Sequence, residues 1–326
     1  MNELDLIKNY FAPLSTGETG AFGLTDDAAV LAVPEGMELV VTKDAISEGV
    51  HFIGNEPPAL IARKLLRTNL SDLAAMGARP YGYFLALMLP EKTDEAWIKV
   101  FAEGLRSDQE IFGITLMGGD TTRTRGTLSL SLTALGLVPR GQALRRAGAR
   151  IGDGIYVSGT IGDAALGLQV ARCKLQVSKE ADAHLLERYR VPSPRVELGQ
   201  KLRGVATASI DVSDGLMQDL GHIAECSGIG AVVIWEDIPL SDAAKSALPL
   251  VARPHETIAA GGDDYELLFT APRTMHEKLC SLAKDAGVNI TRIGEIKPGD
   301  SVKLVDKTGR EIYLERVGYN HFSSKR

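Results

Sequence analysis

Three cysteines in 326 residues, Cys173, Cys226 and Cys280, are too few and too far apart for a disulfide framework, and no CxxC pair offers a zinc site. No apolar run approaches the ~18 residues that a membrane helix needs. The opening MNELDLIKNYF is acidic and amphipathic rather than a secretory signal. A cytoplasmic protein with no membrane partner is expected. Surplus positive charge is also missing. A net charge of −6 and a pI of about 5.6 argue against a nucleic-acid partner, because the phosphate backbone demands Lys and Arg. Arg123, Arg125, Arg145, Arg146 and Arg150 lie close together and read either as a solvated face or as a local basic spot. No glycine-rich loop ends in Gly-Lys-Ser/Thr, and no protein-kinase signature set appears. If ATP binds, metal ions and backbone amides must hold its phosphates.

What is present is ordinary in bulk: 44% hydrophobic and 24% charged residues place the chain among soluble globular proteins, with length for about two domains. Residues 4–12 read as a short helix. Residues 30–33, 39–42, 83–89, 114–117 and 128–138 read as strands. Helices are expected over 58–76 and 94–112, the first because Ile61, Leu65, Leu66, Leu70 and Leu73 recur at helical spacing. Gly77 is its expected C-terminal cap, and Pro80 prevents continuation. A basic, glycine-rich stretch over 139–152 separates the domains, 1–138 and 149–326. Beyond it come strands at 154–158, 207–211, 265–270 and 290–296, with helices near 163–172, 193–203, 213–227 and 274–286. Helices and strands alternating in both halves predict an α+β, or mixed α/β, fold of two domains.

Acids recur where apolar runs end: Asp26-Asp27, Asp44, Asp72, Asp120, Asp211 with Asp214, and Asp263-Asp264. Many carboxylates gathered at strand ends repel one another unless a cation lies between them. Oxygen donors suit Mg²⁺, which shares its remaining positions with water and substrate phosphates. The chain therefore reads as a magnesium-dependent enzyme acting on phosphates. Each motif alone also has a plain structural reading. Gly118-Gly119-Asp120-Thr121-Thr122 permits close approach to a phosphate, or is a common turn. Asp211-Val212-Ser213-Asp214 places acids around a helix start with Ser213 as N-cap, where an anion is favoured, or the acids merely cap the helix. Asn69 and Asp72 share a helix face, which is either functional or a polar stripe. A lone His51 is more often structural. Tail aromatics such as Tyr319 usually dock on a core.

Taken together and in order, these segments resemble the thiamine-monophosphate kinases of the aminoimidazole ribonucleotide synthetase-like superfamily. The resemblance runs through Asp26-Asp27-Ala28-Ala29, Asp44 with Glu48-Gly49-Val50-His51-Phe52, and Asn69 to Ala78. It continues through Gly118 to Thr122, Asp211 to Leu216, Gly262 to Leu267, and Gly318-Tyr319-Asn320-His321-Phe322. It implies ATP-dependent phosphorylation of thiamine monophosphate to thiamine diphosphate with several Mg²⁺ ions, and no general base. It implies a homodimer whose amino-terminal sheets form a shared β-barrel, with active sites between the domains. Matched residue by residue, it makes Asp27, Thr42, Asp44, Asp72, Asp120, Asp211 and Asp214 metal ligands. Gly119, Asp120, Arg146 and Ser213 become nucleotide-binding residues, and His51, Asp263 and Tyr319 substrate-binding ones. The chain departs from the family pattern at Thr25, where glycine is expected, and at Lys43, where a small hydroxyl residue is common. It also departs at Asp263, where Glu occurs. Rival superfamily chemistries use a reactive Cys near the amino terminus or at the extreme carboxy end, and neither stands here. A non-catalytic nucleotide- or metal-binding protein is the reading of another class.

Overall fold

The computed structural model describes residues 3–320. The chain divides into two units, Met1–Leu73 with Ala78–Gly141, and Ala74–Gly77 with Gln142–Arg326. Met1 and Asn2, and the His321 and Phe322 of the last motif, lie outside the described residues.

The first unit begins with helix α1 (Glu3–Leu6), continued by a wider helical turn over Ile7–Phe11. Its sheet holds β1 (Met37–Ser47), β2 (Arg79–Pro90), β3 (Thr115–Thr124) and β4 (Ser129–Pro139), in the order β1-β4-β2-β3. The β1–β4 and β4–β2 pairs are antiparallel, whereas β2 and β3 are parallel. Parallel neighbours need a crossover, here α3 (Glu95–Phe112). Asp94 caps it by accepting from the Trp97 N–H at 2.8 Å, and Gly113 ends it at φ 62°. Helix α2 (Pro58–Ala75) buries Ile61, Leu65, Leu66, Leu70 and Leu73, the stripe its periodicity implied. Gly77 follows at φ 69°, in the left-handed region glycine tolerates. Asp108 of α3 is fully buried and pairs with Arg67 and Arg63 of α2, which fixes the two helices in register.

Two expectations fail in this unit. Residues 30–33 form no strand, and Val30 and Val33 stay exposed. The run is only four residues long, and Pro34 ends it with no N–H to donate. Gly118-Gly119-Asp120 is not a turn but lies inside β3. The glycine serves close strand approach: a Cβ at Gly119 would stand 2.1 Å from the Leu85 carbonyl oxygen.

The second unit carries a six-stranded sheet. In chain order its elements are β5 (Gly154–Ser158), α4 (Asp163–Ala171), α5 (Lys179–Arg190), α6 (Val196–Lys201), β6 (Ala208–Asp211), α7 (Leu216–Ser227) and β7 (Gly230–Ile234). Then come α8 (Asp242–Ala247), α9 (Pro254–Ala259), β8 (Leu267–Ala271), α10 (His276–Asp285), β9 (Ile290–Lys297) and β10 (Val302–Val305). The strand order is β10-β7-β9-β5-β8-β6, antiparallel except for the β10–β7 pair. Leu216, Met217, Leu220 and Ile223 of α7 join Ile210, Leu268 and Ile293 in its core. Both units are mixed α/β, and neither sheet closes into a barrel within one chain.

Candidate active site

On β1, Thr42 and Asp44 are two residues apart and share a face. Asp72 reaches that face from α2, accepting a hydrogen bond from the Thr42 hydroxyl at 2.5 Å. Helix α2 covers the same side: Gly136, opposite Val40, is so close that a Cβ there would lie 3.0 Å from Leu73 Cδ2.

Asp120 belongs to the other face. Direct register runs Ala45–Ser131–Ala86–Asp120 across the four strands, while the row of Asp44 runs through Leu132 and Leu85 to Gly119. Asp44 and Asp120 also stand on opposite edge strands, three strand spacings or roughly 14 Å apart. One chain's sheet therefore does not bring them to a common ion. On Asp120's face a cavity of about 520 Å³ opens, lined by Asp26, Asp27, Lys43, Phe84, Thr121, Ser131 and Thr133 together with Asp120 and Gly119. The first unit's expected ligands thus fall into two groups: Thr42, Asp44 and Asp72 on the helix-covered face, and Asp27 and Asp120 at the cavity.

His51 sits in a turn closed by its N–H on the Ser47 carbonyl. Its Nδ1 accepts from the Ser47 N–H at 3.1 Å, which in the neutral ring places the proton on Nε2. Buried Lys64 donates to the His51 carbonyl at 3.0 Å.

In the second unit the expected residues converge. Buried Asp211 ends β6. Main-chain bonds then tie the following loop to two distant segments. The Asp263 N–H donates to the Ser213 carbonyl at 2.8 Å, the Tyr265 N–H to the Val212 carbonyl at 2.8 Å, and the Tyr319 N–H to the Asp214 carbonyl at 2.9 Å. Gln218 bridges the Asp214 carboxylate and the Tyr319 carbonyl. A Cβ on Gly262 would stand 2.3 Å from the Ser213 carbonyl oxygen, so this crossing admits no side chain. Asp263 and Tyr265 adopt φ values of 71° and 51°, left-handed geometry that is rare outside glycine and gathers at functional sites. The Tyr265 hydroxyl donates to Asp263 Oδ1 at 3.1 Å. Arg146 is exposed, and its carbonyl accepts from Ser227. The neighbouring Arg145 carbonyl accepts from the Ser209 N–H, two residues before Asp211, so this arginine pair runs along the edge of β6.

Ser213 is not the N-cap of α7. Gly215 takes that position, and Asp219 within the helix reaches back instead. Its Oδ2 accepts the N–H groups of Ser213, Asp214 and Gly215 at 3.0, 3.1 and 3.0 Å. The amides expected to greet a phosphate are thus held by a carboxylate. Burial pushes Asp219 up to about 7, against the pull of those three amides. Between the ordinary carboxylate value and about 7, the folded protein keeps a proton that the unfolded chain has released. Asp219 therefore costs stability that grows as pH rises through that window. Asp219→Asn keeps the acceptor oxygen. It is expected to flatten the stability profile of the metal-free protein between about pH 4 and pH 7, as read by urea unfolding at each pH. An unchanged slope would contradict this assignment.

Asp219, Gln218, Ser131 and Thr133 were not singled out from the sequence. Only the β4 hydroxyls left a trace there, in the every-other-residue series Ser129, Ser131, Thr133. Among the described residues, no three Asp, Glu, His or Cys side chains stand close enough together to enclose an ion alone. The donors offered are all hard oxygens, the set that fits Mg²⁺ with phosphate and water completing its shell.

Comparison with known proteins agrees along nearly the whole chain. Residues 25–138 match the model for the N-terminal domain of AIR synthase related protein, and residues 150–307 the model for its C-terminal domain. The thiamine-monophosphate kinase of Caulobacter vibrioides is 44% identical over 322 residues, covering 98% of this chain and 90% of that protein. The crystal structure of thiamine-monophosphate kinase from Stenotrophomonas maltophilia has a TM-score of 0.81 at 44% identity, covering 89% of this chain and 91% of that one. AaThiL complexed with AMPPCP and TMP has a TM-score of 0.77 at 28% identity, covering 93% and 98%.

Proposed function

We propose a division of labour within this chain, which belongs to the thiamine-monophosphate kinase family of AIR synthase related proteins. The reaction is ATP-dependent phosphorylation of thiamine monophosphate to thiamine diphosphate. The observation that carries the residue assignment is the convergence of Ser213, Asp214, Asp263 and Tyr319 through main-chain bonds in the second unit, just beyond Asp211 at the end of β6. Asp263 offers a carboxylate and Tyr319 a half-exposed ring to a cationic thiazolium. His51 is the third residue assigned to thiamine monophosphate. Ser213, Gly119, Asp120 and Arg146 bind the nucleotide.

The acceptor is a phosphate monoester, dianionic near neutral pH with a second pKa of about 6. It needs no strong base, and none is assigned. Asp27, Thr42, Asp44, Asp72, Asp120, Asp211 and Asp214 would hold Mg²⁺, which when bound screens the two anions from one another and favours in-line transfer. The chain's own work is positioning. Thr42 fixes the Asp72 carboxylate, the Ser213 and Val212 carbonyls hold the strained Asp263–Tyr265 segment, and Asp219 sets the shape of the Ser213–Gly215 loop.

His51→Ala and Asp263→Ala are expected to raise the KM for thiamine monophosphate roughly tenfold while leaving that for ATP nearly unchanged. A rise confined to ATP would mean the two pockets are misassigned.

A homodimer is the proposed assembly. Strands β1 and β3 end the sheet on its two sides and present edges that a second copy can meet. Strand β1 also leaves Leu39 and Val41 exposed on an open edge, a surface that proteins cover. Light scattering is expected to give twice the 34.9 kDa chain mass; a value near 34.9 kDa at micromolar concentration would overturn the dimer. No helix is long and apolar enough to cross a membrane among the described residues. The cytoplasm, which supplies ATP, is the proposed location.

A further inference from the structure

Lys43 has no role in the residue assignment above, yet its position gives it one. Its row across the sheet is Lys43–Thr133–Phe84–Gly118, on the cavity face and one alternation away from Asp120. Among the residues lining the 520 Å³ cavity it is the sole cation, set against the carboxylates of Asp26, Asp27 and Asp120. The ammonium leans along the sheet toward β4, where its Nζ lies 3.5 Å from Thr133 Oγ1. It forms no ion pair among the described residues. An ammonium carries three donors, and one long bond to a hydroxyl leaves capacity for an anion.

We propose that Lys43 binds a phosphate oxygen of the nucleotide in this cavity and supplies, as a fixed charge, part of the neutralisation that Mg²⁺ otherwise provides. The inference rests on the reading that ATP binds this chain. A triphosphate entering a cavity with three carboxylates meets strong repulsion, and each ion recruited to relieve it must be dehydrated and ordered. A tethered ammonium is already in place and needs no free Mg²⁺. Nucleotide binding in this chain should therefore depend less steeply on Mg²⁺ than it does without the lysine.

Calorimetric titration of AMPPCP into the full chain tests this, at saturating and at limiting Mg²⁺, for the wild type, Lys43→Met and Lys43→Arg. Because Lys43 is exposed, both variants are expected to unfold at the wild-type temperature. Lys43→Met is expected to bind AMPPCP about tenfold more weakly at limiting Mg²⁺, the usual cost of losing a hydrogen bond to a charged group. That deficit should shrink as Mg²⁺ is raised. Lys43→Arg should stay within about threefold of wild type. Thiamine monophosphate affinity should be the same in all three. Equal AMPPCP affinity for wild type and Lys43→Met at both Mg²⁺ levels would overturn the proposal, as would a loss confined to thiamine monophosphate. A deficit that Mg²⁺ does not alter would overturn the charge-replacement role. A wild-type chain that binds no AMPPCP would instead overturn the nucleotide reading on which the inference rests.

Discussion

Asp211→Asn is expected to lower kcat by roughly a hundredfold or more at saturating Mg²⁺, with the melting temperature within a few degrees of wild type. The substitution keeps the volume of a side chain only 3% exposed and removes the charge that would neutralise a metal. Asp120→Asn is expected to behave alike, from the other unit and at an exposed position where folding is indifferent to it. Steady-state rates across a Mg²⁺ titration separate weakened metal binding from lost chemistry, because weakened binding is recovered at high Mg²⁺. Near-normal turnover throughout the titration would remove that residue from the ligand set.

The largest effect on stability is expected at Glu266. This fully buried carboxylate accepts from Arg188 Nη2 at 2.8 Å, from Arg195 Nε and Nη2 at 2.7 and 2.5 Å, and from the Ser158 hydroxyl at 2.6 Å. Glu266→Gln keeps the shape but leaves two guanidinium groups, one of them buried, without their shared counter-charge. Breaking a buried pair costs about 3–5 kcal/mol. Asp163, 3.9 Å from Arg188 Nε, offsets part of this, so about 3 kcal/mol is expected in urea unfolding. Glu266 also neighbours Tyr265 and through its carbonyl receives the Val212 N–H, so the same variant should weaken thiamine monophosphate binding. A stability loss under about 1 kcal/mol would show that the arginines find other partners.

What could be read from the sequence, and what could not, follows from how local each signal is. Helices α2 and α3 were legible because a long apolar stripe runs along most of each, with Gly77 and Gly113 beyond their ends. Helix α5 was not, because its buried stripe of Ala181, Leu185, Arg188 and Tyr189 includes an arginine whose partner lies 78 residues away. Strands β7 and β10 are short runs whose pairing is non-local. The start of α7 misled because Ser213 has the right chemistry for a cap, while the acceptor actually used, Asp219, comes from inside the helix. At the site, motif order brought Asp211, Ser213, Asp214, Asp263 and Tyr319 into one list, and in the second unit backbone bonds tie the loop that follows Asp211 to Asp263 and Tyr319. That Asp44 and Asp120 lie on opposite faces and edges could not be foreseen, because strand order and register are set by pairing across the sheet.

One measurement bears most directly on the central claim: a single turnover with excess enzyme, γ-labelled ATP, thiamine monophosphate and Mg²⁺, quenched and resolved by chromatography. The label is expected in thiamine diphosphate, in step with ATP loss and with no labelled inorganic phosphate preceding it. ATP retained intact on the protein, or label released without thiamine diphosphate, would contradict direct transfer between the two bound phosphates.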